Sequence, residues 1–198
     1  MRLIVAAETT GKWNFHEHDD THPSQPHLVR LAAILEDDEA NVIDEMCDVV
    51  WPDLTWTFEE GAVRAHGIDR IAALAPGKGL VDVMQRAADM TTYGPTTIIG
   101  FGVDFQIKVL KRACAEAGIT WTDLPKFDCM MEARDIVKQP RMASGGGYMQ
   151  PSFPNAYRCI ARVQLPDLLA MDPVAAGAAK VAAVRTIYHG ILRERGGG

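Results

Sequence analysis

The stretch Arg2-Leu3-Ile4-Val5-Ala6-Ala7-Glu8-Thr9-Thr10-Gly11 (RLIVAAETTG, residues 2–11) decides how this chain is read. An apolar, partly β-branched run leads into a carboxylate and a Thr-Thr-Gly turn, the pattern of a strand that delivers an acid to a site. Ala6, where a second carboxylate would complete that pattern, carries no polar atom. The stretch therefore poses a question of chemistry as well as of fold.

Working outward, residues 2–7 read as a buried strand, followed by a polar loop over 16–26. HLVRLAAILED (27–37) reads as a second strand, and a turn at Asp37-Asp38-Glu39 leads to a third in NVIDEMCDVVW (41–51), its hairpin partner. Thr57 with Glu60 three residues on predicts a capped short helix. Leu80, Val83, Met84 and Ala87 keep helical spacing after Gly77 and Gly79. TTIIGFG (96–102) is a short strand, and DFQIKVLKRACAEAG (104–118) an amphipathic helix ended by Gly118. KFDCMMEARDIV (126–137) suggests a strand end entering a helix. RMASGGGYMQPSFP (141–154) reads as a flexible loop that leaves a gating role open. From Pro173 to Arg195 an Ala-rich helix presents Val181, Val184, Ile187 and Ile191 on one stripe. Three strands followed by alternating strand and helix predict an α/β domain with a mixed sheet: an antiparallel hairpin edge, with parallel strands covered by helices.

The bulk properties narrow the function. The 198 residues suit one domain spanning 1–198, burying roughly 70% of the unfolded surface. Twenty Lys and Arg against 26 Asp and Glu give a formal charge of −6, whereas proteins that neutralise phosphates directly usually show a basic excess. Metal-dependent nucleases escape that rule, because bound cations carry the phosphate contact. Cys47, Cys114, Cys129 and Cys159 form no C-x-x-C pair and read as free thiols of a reducing compartment. No run suits a signal peptide or a membrane span, so the expectation is a cytoplasmic protein with no membrane partner.

The ordered signatures resemble one family across nearly the whole chain, the DnaQ-like 3′–5′ exonucleases of the DEDDh group on the ribonuclease H-like fold. Glu8-Thr9-Thr10-Gly11 is similar to the tail of the family's Asp-x-Glu-Thr-Thr-Gly motif. HPSQPHLVRLAAIL (22–35) resembles its second strand, and VRAHGI (63–68) its His-Gly-Ile segment beside the substrate's 3′ end. IIGFGVDFQIKVL (98–110) resembles the Gly-His-Asn-x-x-Phe-Asp motif. CMMEARDIV and FPNAYRCIA follow the family's order, and AAGAAKVAAV (175–184) falls where His-x-Ala-x-x-Asp-Val opens the last helix. The resemblance implies a mixed five-stranded sheet, an antiparallel hairpin edge plus parallel strands, flanked by helices.

The family's chemistry uses four carboxylates that hold two divalent ions about 4 Å apart, and a histidine that acts as general base. Carried over position by position, the first Asp falls on Ala6, the Glu on Glu8, the second-motif Asp on Gln106, the His on Ala175 and the last Asp on Lys180. Phe101-Gly102 replace the second motif's His-Asn. Only Glu8 is a retained family ligand. Alanine ligates nothing, a neutral amide serves a hard cation poorly, and lysine repels it. No intact catalytic set and no cofactor are therefore expected. Thr9, Thr10 and His66 fall at substrate-binding positions.

Nearby groups do not restore the set. Asp104 lies about 200° from Gln106 on a helix, and Asp172 reads as a helix cap. His16, His18, Asp19, Asp20 and His22 follow no established zinc spacing and read as a solvated loop. His189 reads as structural. Glu8 near the sheet centre would be costly to leave unpaired, which predicts a salt bridge with Lys180 across the former metal site.

The resemblance thus implies a catalytically degenerate 3′–5′ exonuclease homologue, a pseudoenzyme acting by binding. Its partner is the 3′ end of a single-stranded nucleic acid or a protein, and a homo-oligomer is left open. The alternative is an active metal-dependent exonuclease with a non-standard or engineered-out site, which would need Mg2+ or Mn2+.

Overall fold

The computed structural model of the chain describes residues 1–17, 19–140 and 147–196. The quoted stretch forms strand β1, Arg2–Thr9. It lies antiparallel to β2 (Leu28–Glu36), which in turn pairs antiparallel with β3 (Val42–Val50). On the other side of β1 run two parallel neighbours, β5 (Thr97–Gly100) and β6 (Lys126–Asp128). With β4 as Gly77–Lys78, the sheet order is β4-β3-β2-β1-β5-β6, with β1 and β2 at its centre.

This is the expected α/β mixed sheet, with six strands where five were expected. The additional strand, β4 (Gly77–Lys78), pairs with Val49 and Val50 of β3. Two residues are too few to show an alternation, so the sequence shows only glycine punctuation there.

The alternation of β1 divides the core. Leu3, Val5 and Ala7 face one layer with helices α3 (Leu80–Thr91) and α4 (Val103–Ala117). Ile4 and Ala6 face the other layer, made by α5 (Cys129–Val137), α6 (Phe153–Ala161) and α7 (Pro173–Gly196). Val181, Val184, Ile187 and Ile191 of α7 are all buried there, as the stripe predicts. Of two short helices, α1 (Glu60–His66) lies beside the turn that follows β1, and α2 (Arg70–Leu74) buries Ala73 with Val29 and Val49 of β2 and β3.

Local capping accounts for several element ends. Asp172 Oδ1 accepts from the Val174 and Ala175 N–H groups and starts α7, its expected role. The Asp128 carboxylate accepts from Gly102 and Val103 at the start of α4, and also from Met130 of α5. One side chain thus satisfies orphan donors of two helices. The expected Thr57 cap is corrected: α1 starts at Glu60, its N-cap is Glu59, and no side chain caps it. Glu59 is drawn elsewhere, its N–H donating to Thr10 O and its carboxylate accepting from Lys12 N.

Of the stretch read as a flexible loop, residues 141–146 lie outside the described residues, as does His18. Among the described residues no helix is long and apolar enough to cross a membrane.

Candidate functional site

The parallel pairing of β1 with β5 ends at Ile4 and Ile99, while β1 continues to Thr9. The far end of β1 therefore has one free edge, at the carboxyl end of the parallel strands, where open α/β sheets commonly form their crevices. Gln106, on the first turns of α4, closes part of that edge: its Oε1 accepts the Ala7 N–H at 2.6 Å. The amide thereby acts as a backbone cap for a strand that has outrun its neighbour.

Glu8 continues the Ile4 and Ala6 face of β1 and projects towards α7, where Lys180 Nζ donates to Glu8 Oε1. The pairing expected from the sequence is present. A second cation joins it. Arg30 lies directly opposite Glu8 in the β1–β2 register, and its Nη2 is 3.5 Å from the same carboxylate oxygen. The Arg30 side chain is 2% exposed, and its Nη1 donates to Pro173 O at 2.6 Å. It passes under α7 at Gly177, where an added Cβ would stand 2.7 Å from Arg30 Cδ and 2.5 Å from Cys47 Sγ. No other residue fits that contact without movement.

Burial pushes the Glu8 carboxyl up, but the Lys180 and Arg30 cations outweigh it and hold the group below its ordinary range. One carboxylate against two cations leaves one positive charge in excess. His66 adds none. Burial holds its pKa below the ordinary value. Its Nδ1 accepts from Ile68 N at 3.1 Å and its Nε2 meets Thr9 O at 3.0 Å, which together fix the neutral tautomer protonated on Nε2.

Two hollows flank the ion pair. A small cavity of about 70 Å3 is lined by Val5, Ala6, Phe101, Gln106, Phe153, Lys180 and Val184. A wider groove of about 550 Å3 runs past Glu8, Thr9, Gly11, Lys12, Trp13, Phe15, His66 and Phe105. Phe15 is 66% exposed on its rim.

The sequence-derived residues separate on this map. Ala6, Gln106 and Lys180 share the small cavity, with Glu8 bonded to Lys180. Ala175 sits apart, exposed on the first turn of α7. Thr9 and His66 line the groove, but their polar atoms are engaged within the chain, Thr9 Oγ1 with Gly11 O at 2.7 Å. Thr10 is buried and does not line it; its hydroxyl accepts from His27 N. Asp104 points away and pairs with Lys126, as its helical angle from Gln106 requires. Asp20 pairs with Lys108, and His22 bonds Ser24. Arg30 and Phe15 were not foreseen.

A pair of divalent ions needs several anionic oxygens to compensate its charge. These positions offer one carboxylate already held by two cations, an amide oxygen committed to Ala7, an alanine and a lysine. They do not fit a divalent ion. Among the described residues no three His, Cys, Asp or Glu side chains are grouped so as to hold one.

The mixed sheet and its flanking helices give the chain a ribonuclease H-like fold. The solved structures that share it include those of exonuclease I. The E. coli exonuclease I complex with a 5cy-dT13 oligonucleotide aligns with a TM-score of 0.70 at 21% identity, over 98% of this chain and 40% of that one. The zinc-bound E. coli complex with single-stranded DNA gives 0.67 at 22% identity, with the same coverage. A product-bound exonuclease I gives 0.62 at 22% identity, over 95% of this chain and 45% of that one. This chain thus spans less than half the length of those proteins. No family model and no curated protein matches the sequence.

Proposed function

We propose that this chain is a catalytically degenerate homologue of the 3′–5′ exonucleases that binds a single-stranded nucleic-acid 3′ end without cleaving it. The observation that carries the reading is Glu8 held between Lys180 and Arg30. A carboxylate that already has two cationic partners does not recruit metal ions, and without them there is no activated water. The absence of an imidazole at Ala175 removes the general base as well.

The groove supports the binding half of the proposal. Exposed Phe15 offers a face for base stacking, with partly buried Phe105 in the same groove, and Lys12 offers a phosphate contact. The solved structures that share the fold include oligonucleotide complexes of exonuclease I. The test is incubation of labelled single- and double-stranded oligonucleotides with Mg2+ or Mn2+, in parallel with a salt series of binding measurements. The expected result is full-length oligonucleotide throughout, with single-strand binding that weakens steeply with salt. Progressive shortening from the 3′ end would restore the active-exonuclease alternative.

A protein partner is the second reading, and a different surface favours it. Leu54 is 91% exposed and Ile71 77%, with Trp51 and Leu74 also exposed. A patch of this kind suits a protein contact. Oligonucleotide binding that is absent at low salt would turn the assignment to this surface.

A further inference from the structure

We infer that the position of the family's metal ions has become a metal-free anion socket, in which Lys180 and Gln106 hold a phosphate group of the bound strand directly. The inference rests on the nucleic-acid reading above and concerns how that site meets its ligand.

The cavity that Ala6, Phe101, Gln106, Phe153 and Lys180 enclose is the size of a single small group, at about 70 Å3. Its polar lining is donor-rich. Lys180 Nζ has three N–H donors and gives one to Glu8, which leaves two. Gln106 is 6% exposed, and its Oε1 is occupied by the Ala7 N–H. That bond orients the amide so that Nε2 is the remaining polar atom, and among the described residues Nε2 has no hydrogen-bond partner. A mostly buried glutamine whose amide N–H groups have no protein partner and remain open to the cavity, beside an ammonium with two donors left, is a site for an anionic acceptor.

The charge points the same way. Arg30 and Lys180 together exceed Glu8 by one unit, and neutral His66 does not alter the sum. Arg30 cannot itself reach the ligand, being buried and bonded to Pro173 O. It lets Lys180 face the cavity as a net cation instead of one neutralised by Glu8. Phe101 and Phe153, edge to face at 5.2 Å, wall the cavity with apolar surface, which strengthens a charged contact made inside it. In a two-metal nuclease the protein is anionic here and cations bridge to the phosphate. In this chain the protein supplies the positive charge.

The test is fluorescence anisotropy with labelled oligo-dT ending in either 3′-hydroxyl or 3′-phosphate, in EDTA and in Mg2+. The expected result is equal affinity in EDTA and Mg2+. Lys180→Gln is expected to raise the Kd about tenfold and to lower the salt slope by about 0.7, the loss of one phosphate contact to a single strand. Gln106→Glu keeps the acceptor for Ala7, replaces the donor by an oxygen, and should weaken binding about tenfold as well. It decides the matter if Lys180→Gln melts too low to be compared. Tighter binding of the 3′-phosphate strand assigns the socket to a terminal phosphate, and equal binding to an internal one. Binding that EDTA abolishes, or that both variants leave intact, overturns the socket and spares the nucleic-acid reading. No binding of either strand at low salt overturns both.

Discussion

Glu8 and Arg30 occupy directly opposed positions on antiparallel β1 and β2, with Arg30 Nη2 3.5 Å from Glu8 Oε1. Opposite charges at facing positions of a sheet are ordinary on a solvated face. Here the pair lies under α7, where a third charge, Lys180, reaches the same oxygen. The three groups form one unit, and its stability, pH response and tolerance of change follow from that.

Removal of Glu8 leaves two neighbouring cations with no carboxylate between them, and removal of Lys180 takes the nearer partner from a largely buried carboxylate. Lys180→Met and Glu8→Gln are each expected to destabilise the fold, while the double variant should lose less than the sum. A coupling of about 2 kcal/mol is expected, below the range for fully buried pairs because both side chains keep some solvent. Urea melts of the four proteins measure it; additive losses would show that Lys180 merely lies close.

Acid is expected to weaken the protein in two stages. His66 has a folded pKa below its ordinary 6.5, so its contribution is complete above 6.5 and erodes as pH falls through the window beneath it. Glu8 has a folded pKa below its ordinary 4.5, so its contribution holds above 4.5 and is lost as pH falls through the depressed value. Melting temperature against pH should lose the first stage in His66→Gln and the second in Glu8→Gln. A His66→Gln protein that still weakens between 6.5 and 4.5 as the parent does would assign that stage to other groups.

Gly177→Ala raises helix propensity and should nevertheless destabilise, by about 1–3 kcal/mol, because the new methyl meets Arg30 and Cys47 inside contact distance. Pairing it with Cys47→Ala, which removes the nearer of the two atoms, should recover part of the loss. Thermal melts of the single and double variants provide the comparison. A stabilised Gly177→Ala would mean that Arg30 has room to move aside.

Restoring acids at the family positions tests the reading of the site from the opposite direction. With Ala6→Asp, Gln106→Asp and Lys180→Asp together, Mn2+ is expected to raise the melting temperature little while Arg30 still faces Glu8. Adding Arg30→Leu should bring a clear Mn2+-dependent rise, since ligand binding to the folded state appears as added stability. An equal Mn2+ response with and without Arg30 would remove it from the account of the site.

Much of the architecture was readable because β1, β2, α4 and α7 are long and strongly periodic. The Glu8–Lys180 pair was readable because a lone carboxylate at a sheet centre needs a partner and the family resemblance puts Lys180 opposite it. Arg30 escaped notice inside a nine-residue strand whose every position is buried, where Arg30 and the terminal Glu36 are the two charges among apolar residues. A charge in mid-strand was nevertheless the signal available. The Gln106–Ala7 bond depends on β5 stopping before β1 does, a relation between distant segments that no local pattern contains. Thr57 satisfied the capping rule, yet the turn after β1 claims Glu59 and moves the helix start.

The notch at Gly177 makes the two cations of the site unequal in how readily they can be exchanged. Lys180 is a surface-reaching side chain that one substitution can replace, but Arg30 is threaded beneath a helix that only glycine allows so close. Losing Glu8 leaves two neighbouring cations, and losing Arg30 leaves a hollow under α7. Each single change towards an acidic site therefore passes through a less stable protein, so that the arrangement is locked: it is left only by several changes at once.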